Sequence, residues 1–255
     1  MRRIAIANQK GGVGKTTTVA NLGASLAHAG KAVLLIDLDP QANLTSYFGF
    51  DPDKVERTIY ESLCAKVPLA EIVRPTPIPQ LYLAPASLDL SAAELELVSA
   101  LGRETILRDR LDELRQPFEF VLIDCPPSLG LLTINGLVAS REVFIPVQTE
   151  FFAMKGVRRL LQTVETIRER LRPGLTITGV ILTLADARMR LTRDVSEAVR
   201  EHFKERVFNT VVRKNVRIAE SPSYGQPVLA YSPDSAGAAD YQALAQEVLA
   251  MAALE

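Results

Sequence analysis

The stretch NQKGGVGKTTT, residues 8–18, follows the apolar run RRIAIA and opens a helical pattern. It reads as a phosphate-binding loop with its first rule broken. The usual pattern is Gly, four residues, then Gly-Lys-Ser/Thr. Counting back from Gly14-Lys15-Thr16, the first glycine belongs at position 9, where Gln9 stands, and a second lysine, Lys10, follows it. Gly11, Gly12 and Gly14 let backbone N–H groups approach phosphate oxygens without a Cβ in the way. The segment from Gly11 through Val13 to Thr17 is therefore the expected nucleotide-binding loop. A helix beginning near Lys15 adds its positive dipole end. Lys15 is expected to reach the β- and γ-phosphates, Thr16 to bind Mg²⁺ through its hydroxyl, and Thr17 to hydrogen-bond the α-phosphate.

Outward from this loop, short apolar runs alternate with helical segments. AVLLID (32–37), FEFVLIDCPP (118–127), EVFIPVQ (142–148) and LTITGVILTL (175–184) read as strands, with a short one at Leu81 to Ala84. KTTTVANLGASLAHAG reads as a helix stopped by Gly30, and further helical patterns cover Ala153 to Leu171 and Leu191 to Phe203. Strands apolar on both faces are those covered by helices on both sides. The alternation predicts an α/β fold, a mainly parallel twisted sheet with right-handed crossovers, as a single domain over residues 1–255.

Two further elements belong to the loop's chemistry. IDLDPQ places Asp37 and Asp39 at the end of the second strand, where ligands of open α/β sheets gather. Asp39 is the candidate to orient or deprotonate a water attacking a γ-phosphate, and Asp37 reads equally well as a loop cap. VLIDCPPS supplies Asp124, the candidate Mg²⁺ organiser, directly or through water. Cys125 reads as a small buried hydrophobe.

Composition narrows the partners. Only two cysteines occur, Cys64 and Cys125, far apart and without metal-ligand spacing, which points to a reducing compartment. The N-terminus is a poor signal peptide, and nothing approaches the run of about 18 apolar residues that spans a membrane. A cytoplasmic protein is expected. The net charge of −1 conceals an asymmetry: residues 155–217 hold 15 Lys/Arg against 7 Asp/Glu, a net of +8. Such a segment is either a nucleic-acid footprint or a set of solvated arginine faces.

KGGVGKTTT, DLDPQAN, DCPPSLG, PVQTEFFA and SPSYGQPVLAYSPDSAG together resemble the ParA/Soj family of chromosome and plasmid partition ATPases, from Met1 to about residue 245. The resemblance implies a deviant Walker A P-loop ATPase using ATP and Mg²⁺, with Lys10, Lys15 and Asp39 as catalytic residues. It answers the riddle of the second lysine: Lys10 matches the signature lysine that reaches the partner's nucleotide in an ATP-dependent homodimer. Gly12 then lies where two chains approach closely. The resemblance also implies nucleoid association through non-specific double-stranded DNA, contacted by Arg188 and Arg217, with Lys214, Arg190 and Arg193 added on charge alone. A ParB-like centromere-binding protein is the implied stimulator of hydrolysis. Two departures add positive charge: Lys155 stands where the family often has an acid, and Arg213 where it often has proline near the adenine pocket.

Two other readings compete. A membrane-cycling ATPase similar to MinD needs a basic amphipathic C-terminal helix, and YQALAQEVLAMAALE has no Lys or Arg, so no membrane partner is expected. A nucleotide-switched DNA-binding protein with little turnover is opposed by the presence of Lys10, Lys15, Asp39 and Asp124 together. An iron–sulfur reductase, as in the nitrogenase iron protein, is excluded because Cys125 lacks a ligating partner.

Overall fold

In a computed structural model describing residues 1–150 and 153–251, with Ala153–Gly156 as backbone only, one eight-stranded sheet organises the chain. The strands are β1 (Arg2–Ile6), β2 (Val33–Asp37), β3 (Arg74–Pro75), β4 (Leu81–Ala84), β5 (Phe120–Asp124), β6 (Glu142–Gln148), β7 (Thr176–Ala185) and β8 (Val207–Arg213). Their order is β3-β4-β2-β5-β1-β6-β7-β8, and only the β3–β4 pair is antiparallel. The predicted α/β class, parallel sheet and two-sided helix cover are thus observed.

Alternation along each strand builds a core on each face. Ile4, Ile6, Val33 and Leu35 pack against helices Lys15–His28 and Ala236–Ala250 through Val19, Leu22, Leu244 and Val248. Ala5, Leu34, Ile36 and Ile123 face the other layer, where Leu132, Leu137, Leu160, Val164 and Val199 come from helices Leu131–Ala139, Ala153–Arg170 and Arg190–Phe203. Each such leucine, fully buried, contributes about 1.5–3 kcal/mol by leaving water.

Two strands were not anticipated. β8 is only partly covered, with Val207, Phe208 and Val212 buried and Asn209 and Arg213 exposed, and its Asn209, Thr210 and Arg213 break the apolar signature. β3 is a two-residue edge. The closing helix is Ala236–Ala250, capped by the Ser235 side chain, which accepts from the Ala238 N–H at 3.2 Å. Phe151, Phe152 and the Lys155 side chain, which figured in the sequence reading, lie outside the described residues.

Register brings the strand ends together. Ile6 pairs beside Asp124, and Asp37 beside Asp124, so β1, β2 and β5 finish level with one another. The chain leaves β1 for one side of the sheet and later crosses to the other through β6, making β1 the switch strand whose carboxyl end opens a crevice.

Candidate nucleotide site and its cationic rim

The glycine loop occupies that crevice. Gly12 and Gly14 have φ of 73° and 84°, the left-handed region that a side chain strains. A Cβ at either would meet no atom of this chain within 4 Å. Backbone conformation, together with whatever approaches from outside, therefore sets the glycine requirement. The loop is anchored from the next strands: Thr183 Oγ1 donates to the Val13 carbonyl at 2.9 Å, and Asn8 Nδ2 donates to the Pro146 carbonyl at 2.7 Å. Gly14 caps helix Lys15–His28, whose free N–H groups face the loop.

Lys15 is 7% exposed. Burial pulls its pKa down, while Asp124 and Asp39 oppose that shift and favour the ammonium. Asp124 is fully buried, and its carboxyl is pushed well above the usual carboxylate range by burial and by Asp37 beside it. Thr16 and Lys15 pull the other way. The Thr16 hydroxyl is near enough to act on Asp124 but stays outside hydrogen-bond geometry, leaving both Asp124 oxygens without a partner among the described residues. A buried, unpartnered carboxylate facing a hydroxyl is an oxygen donor pair of the kind Mg²⁺ takes.

The two aspartates of IDLDPQ separate clearly. Asp37 Oδ2 accepts from the Thr45 N–H at 2.9 Å and the Thr45 hydroxyl at 2.7 Å, and Oδ1 from the Asp39 N–H at 3.1 Å. Burial nevertheless pushes its carboxyl up to about 6. Asp37 is the loop cap. Asp39 accepts only from the Gln41 N–H, at 3.0 Å through Oδ1, which leaves Oδ2 free of protein partners among the described residues. Cys125 is buried in the core, and desolvation pushes its thiol up, as fits an inert hydrophobe.

Lys10 stands apart from this cluster. Its ammonium lies 2.8 Å from Glu150 and 3.4 Å from the Gln148 side-chain oxygen, held across the loop by the end of β6. Nothing local in the sequence announced Glu150 as its partner, 140 residues away.

A cavity of about 770 Å³ adjoins the loop, lined by Gly14 and Thr17 on one side and by Leu184, Arg213, Pro222 and Tyr241 on the other. Leu184 adopts a left-handed φ of 52° at its wall, a strained conformation of the kind concentrated at ligand sites. Sequence reading missed Leu184 and Tyr241, and it quoted Pro222 only within the SPSYGQPVLAYSPDSAG stretch, without a role at a cavity wall. Arg188 and Lys214 also line this cavity. Arg188 is strongly exposed and paired with Asp186 at 2.7 Å, and Arg217 pairs with Glu220 at 2.9 Å. Arg213 requires a correction. Its guanidinium lies 2.6 Å from the buried Asp240, whose carboxylate also accepts its backbone N–H at 3.0 Å, so the positive charge added at this position is tied into the fold, whereas the acidic partners of Arg188 and Arg217 are more exposed.

A parallel sheet with a glycine-lysine loop after its switch strand, a helix behind the loop and carboxylates closing the two adjacent strands defines a P-loop nucleotide-hydrolysing protein. A family model described as "AAA domain" matches residues 1–177. The sporulation initiation inhibitor protein Soj of Bacillus subtilis is 48% identical, over 97% of this chain and 98% of that protein. The chromosome partitioning protein ParA of Caulobacter vibrioides is 46% identical, over 98% of this chain and 94% of that protein. Among solved structures, cobyrinic acid a,c-diamide synthase from Mycobacterium smegmatis with bound ADP and magnesium superposes with a TM-score of 0.86 at 38% identity, covering 98% of this chain and 94% of that one. The chain belongs to the Soj/ParA family of chromosome-partitioning ATPases.

Proposed function

We propose that this chain is a single-domain, Mg²⁺-dependent ATPase whose ATP-bound homodimer holds DNA without sequence preference. A ParB-like centromere-binding protein stimulates its hydrolysis. The observation that carries the reading is the shared cavity: Arg188 and Lys214 line the same hollow as Gly14 and Thr17, so phosphate loop and cationic rim are neighbours. Gly11 to Thr17 cradle the triphosphate, and Lys15 neutralises its β- and γ-phosphates. Thr16 and Asp124 hold Mg²⁺, which when bound neutralises phosphate charge. Asp39, with a free oxygen beside the loop, orients the attacking water. The cavity beyond Thr17 has the size and apolar walls for the base.

In the dimer Lys10 leaves Glu150 and completes the partner's phosphate site. Substituting Lys10 by alanine is expected to abolish ATP-dependent dimerisation while leaving monomer binding of ATP. Substituting Glu150 by glutamine is expected to favour the dimer by at most about 1 kcal/mol, because the ion pair it removes is partly exposed. Sedimentation with a slowly hydrolysed ATP analogue reads both. A Lys10→Ala chain that still dimerises removes the trans role.

DNA binding then follows from assembly. One cationic rim contacts few phosphates, and two on one rigid body contact roughly twice as many, with free energies that add. Binding should require ATP, be weak with ADP or no nucleotide, and fall with salt at a log–log slope of about −0.9 per phosphate neutralised. Arg188→Glu and Arg217→Glu are each expected to weaken binding to every duplex sequence alike and to flatten that slope, with ATP binding retained. Filter binding with ATP, ADP and no nucleotide tests this, and equal binding in all three conditions overturns it.

A further inference from the structure

The pole opposite the glycine loop holds a second charged hollow. The amino ends of β1 and β6 and the turn leading into β7 enclose a cavity of about 460 Å³ lined by Met1, Arg2, Arg3, Asp112, Arg141, Glu142 and Arg172. Four arginines face two carboxylates there, and the carboxylates are already engaged. Arg2 grips Glu142 through Nε and Nη2, both at 2.8 Å, and its Nη1 donates to the Val248 carbonyl. Arg3 lies 2.6 Å from the exposed Asp112. Arg141 and Arg172 have no ion-pair partner among the described residues. Arg172 makes a single hydrogen bond, from Nε to the Ser140 carbonyl at 3.2 Å.

Arg141 is exposed and Arg172 half-buried, and neither guanidinium has a counter-charge at this hollow. Burial and the like charges of Arg141, Arg108 and Arg3 pull the Arg172 pKa below its ordinary value, with Asp112 the opposing carboxylate. Arg108, the remaining cation in range, is held by its own neighbour Asp109 at 2.9 Å. We propose that this cavity is an anion site for a small phosphate dianion, gripped between the guanidinium forks of Arg141 and Arg172 with Arg3 alongside. The unpaired charge of the lining matches a phosphate monoester or inorganic phosphate, which carries about −1.5 to −2 near neutral pH. Planar guanidinium groups bind such oxygens in pairs of parallel hydrogen bonds. A DNA phosphodiester carries one charge per group and meets a protein along a ridge or groove, so two unpaired cations converging on one hollow fit a free phosphate better. The site is separated from the nucleotide loop by the length of β1 and does not depend on the function proposed above.

The test is a titration of the ADP- and Mg²⁺-saturated protein with inorganic phosphate, following the arginine Nε–Hε signals by NMR, against sodium chloride at equal ionic strength. Saturable shifts are expected for Arg141 and Arg172 with phosphate and not with chloride. Arg141→Ser and Arg172→Ser are each expected to weaken phosphate binding by about 10-fold or more, equivalent to ~1.4 kcal/mol. Arg141→Ser should fold because it removes a repulsion, and Arg172→Ser, which also gives up the hydrogen bond to the Ser140 carbonyl, is checked by thermal unfolding. Shifts that rise linearly with either salt, or variants that bind as the parent does, overturn the site. A parallel arm uses a short DNA duplex. If the duplex shifts Arg141 and Arg172 at lower phosphate-group concentration than inorganic phosphate does, the small-anion assignment is overturned in favour of DNA.

Discussion

Replacing Lys15 by alanine is expected to weaken ATP binding by about 10²- to 10³-fold, ~3–4 kcal/mol, while the chain stays folded. Lys15 is almost completely buried, and it is the cation that offsets Asp124 and Asp39 at the loop. Its loss acts twice. The triphosphate loses a charge-assisted contact, and the Asp124 carboxylate, which has no hydrogen-bond partner among the described residues, faces the incoming anion without a cation between them. Calorimetry with an ATP analogue reads the first quantity and thermal unfolding checks the fold. Affinity equal to the parent's, in a folded variant, would show that Lys15 does not contact phosphate.

Asp39→Ala is expected to lower the hydrolysis rate by about 10²- to 10⁴-fold and to leave ATP affinity almost unchanged. Asp39 contributes no N–H donor to the phosphates, and removing a negative charge near them does not oppose binding. Its Oδ2 is the oxygen at the end of β2 left free to take a water. Asp37 provides the contrast. Its carboxylate ties the β2 end to Thr45 by two hydrogen bonds, so Asp37→Ala should destabilise the fold and lose binding and turnover together. Single-turnover phosphate release beside an equilibrium ATP titration distinguishes the two patterns. Hydrolysis by Asp39→Ala at the parental rate would reduce Asp39 to a loop residue.

The sequence alone determined the strand, loop and helix around Gly11 to Thr17, the placing of Asp37, Asp39 and Asp124 at strand ends, and the layered α/β class. All of these are short-range or periodic features: glycine and lysine spacing, apolar runs that end at an aspartate, and helical patterns between them. It also raised, without resolving, the choice between two roles for Asp37. Tertiary structure decided that choice, because Thr45 reaches Asp37 only after the following turn closes. It decided, too, that Arg213 is neutralised by Asp240, that Lys10 rests on Glu150, and that Thr183 holds the loop at Val13, contacts spanning 27, 140 and 170 residues of chain. β8 was illegible because an outer strand, only partly covered, keeps polar residues and loses the continuous apolar run of an inner one. The arginine pocket at the far pole joins Arg3, Arg141 and Arg172 from three separate segments. Local pattern reports what a segment buries. Which distant charges end up facing one another depends on sheet order and register, and those exist only when the whole chain has folded.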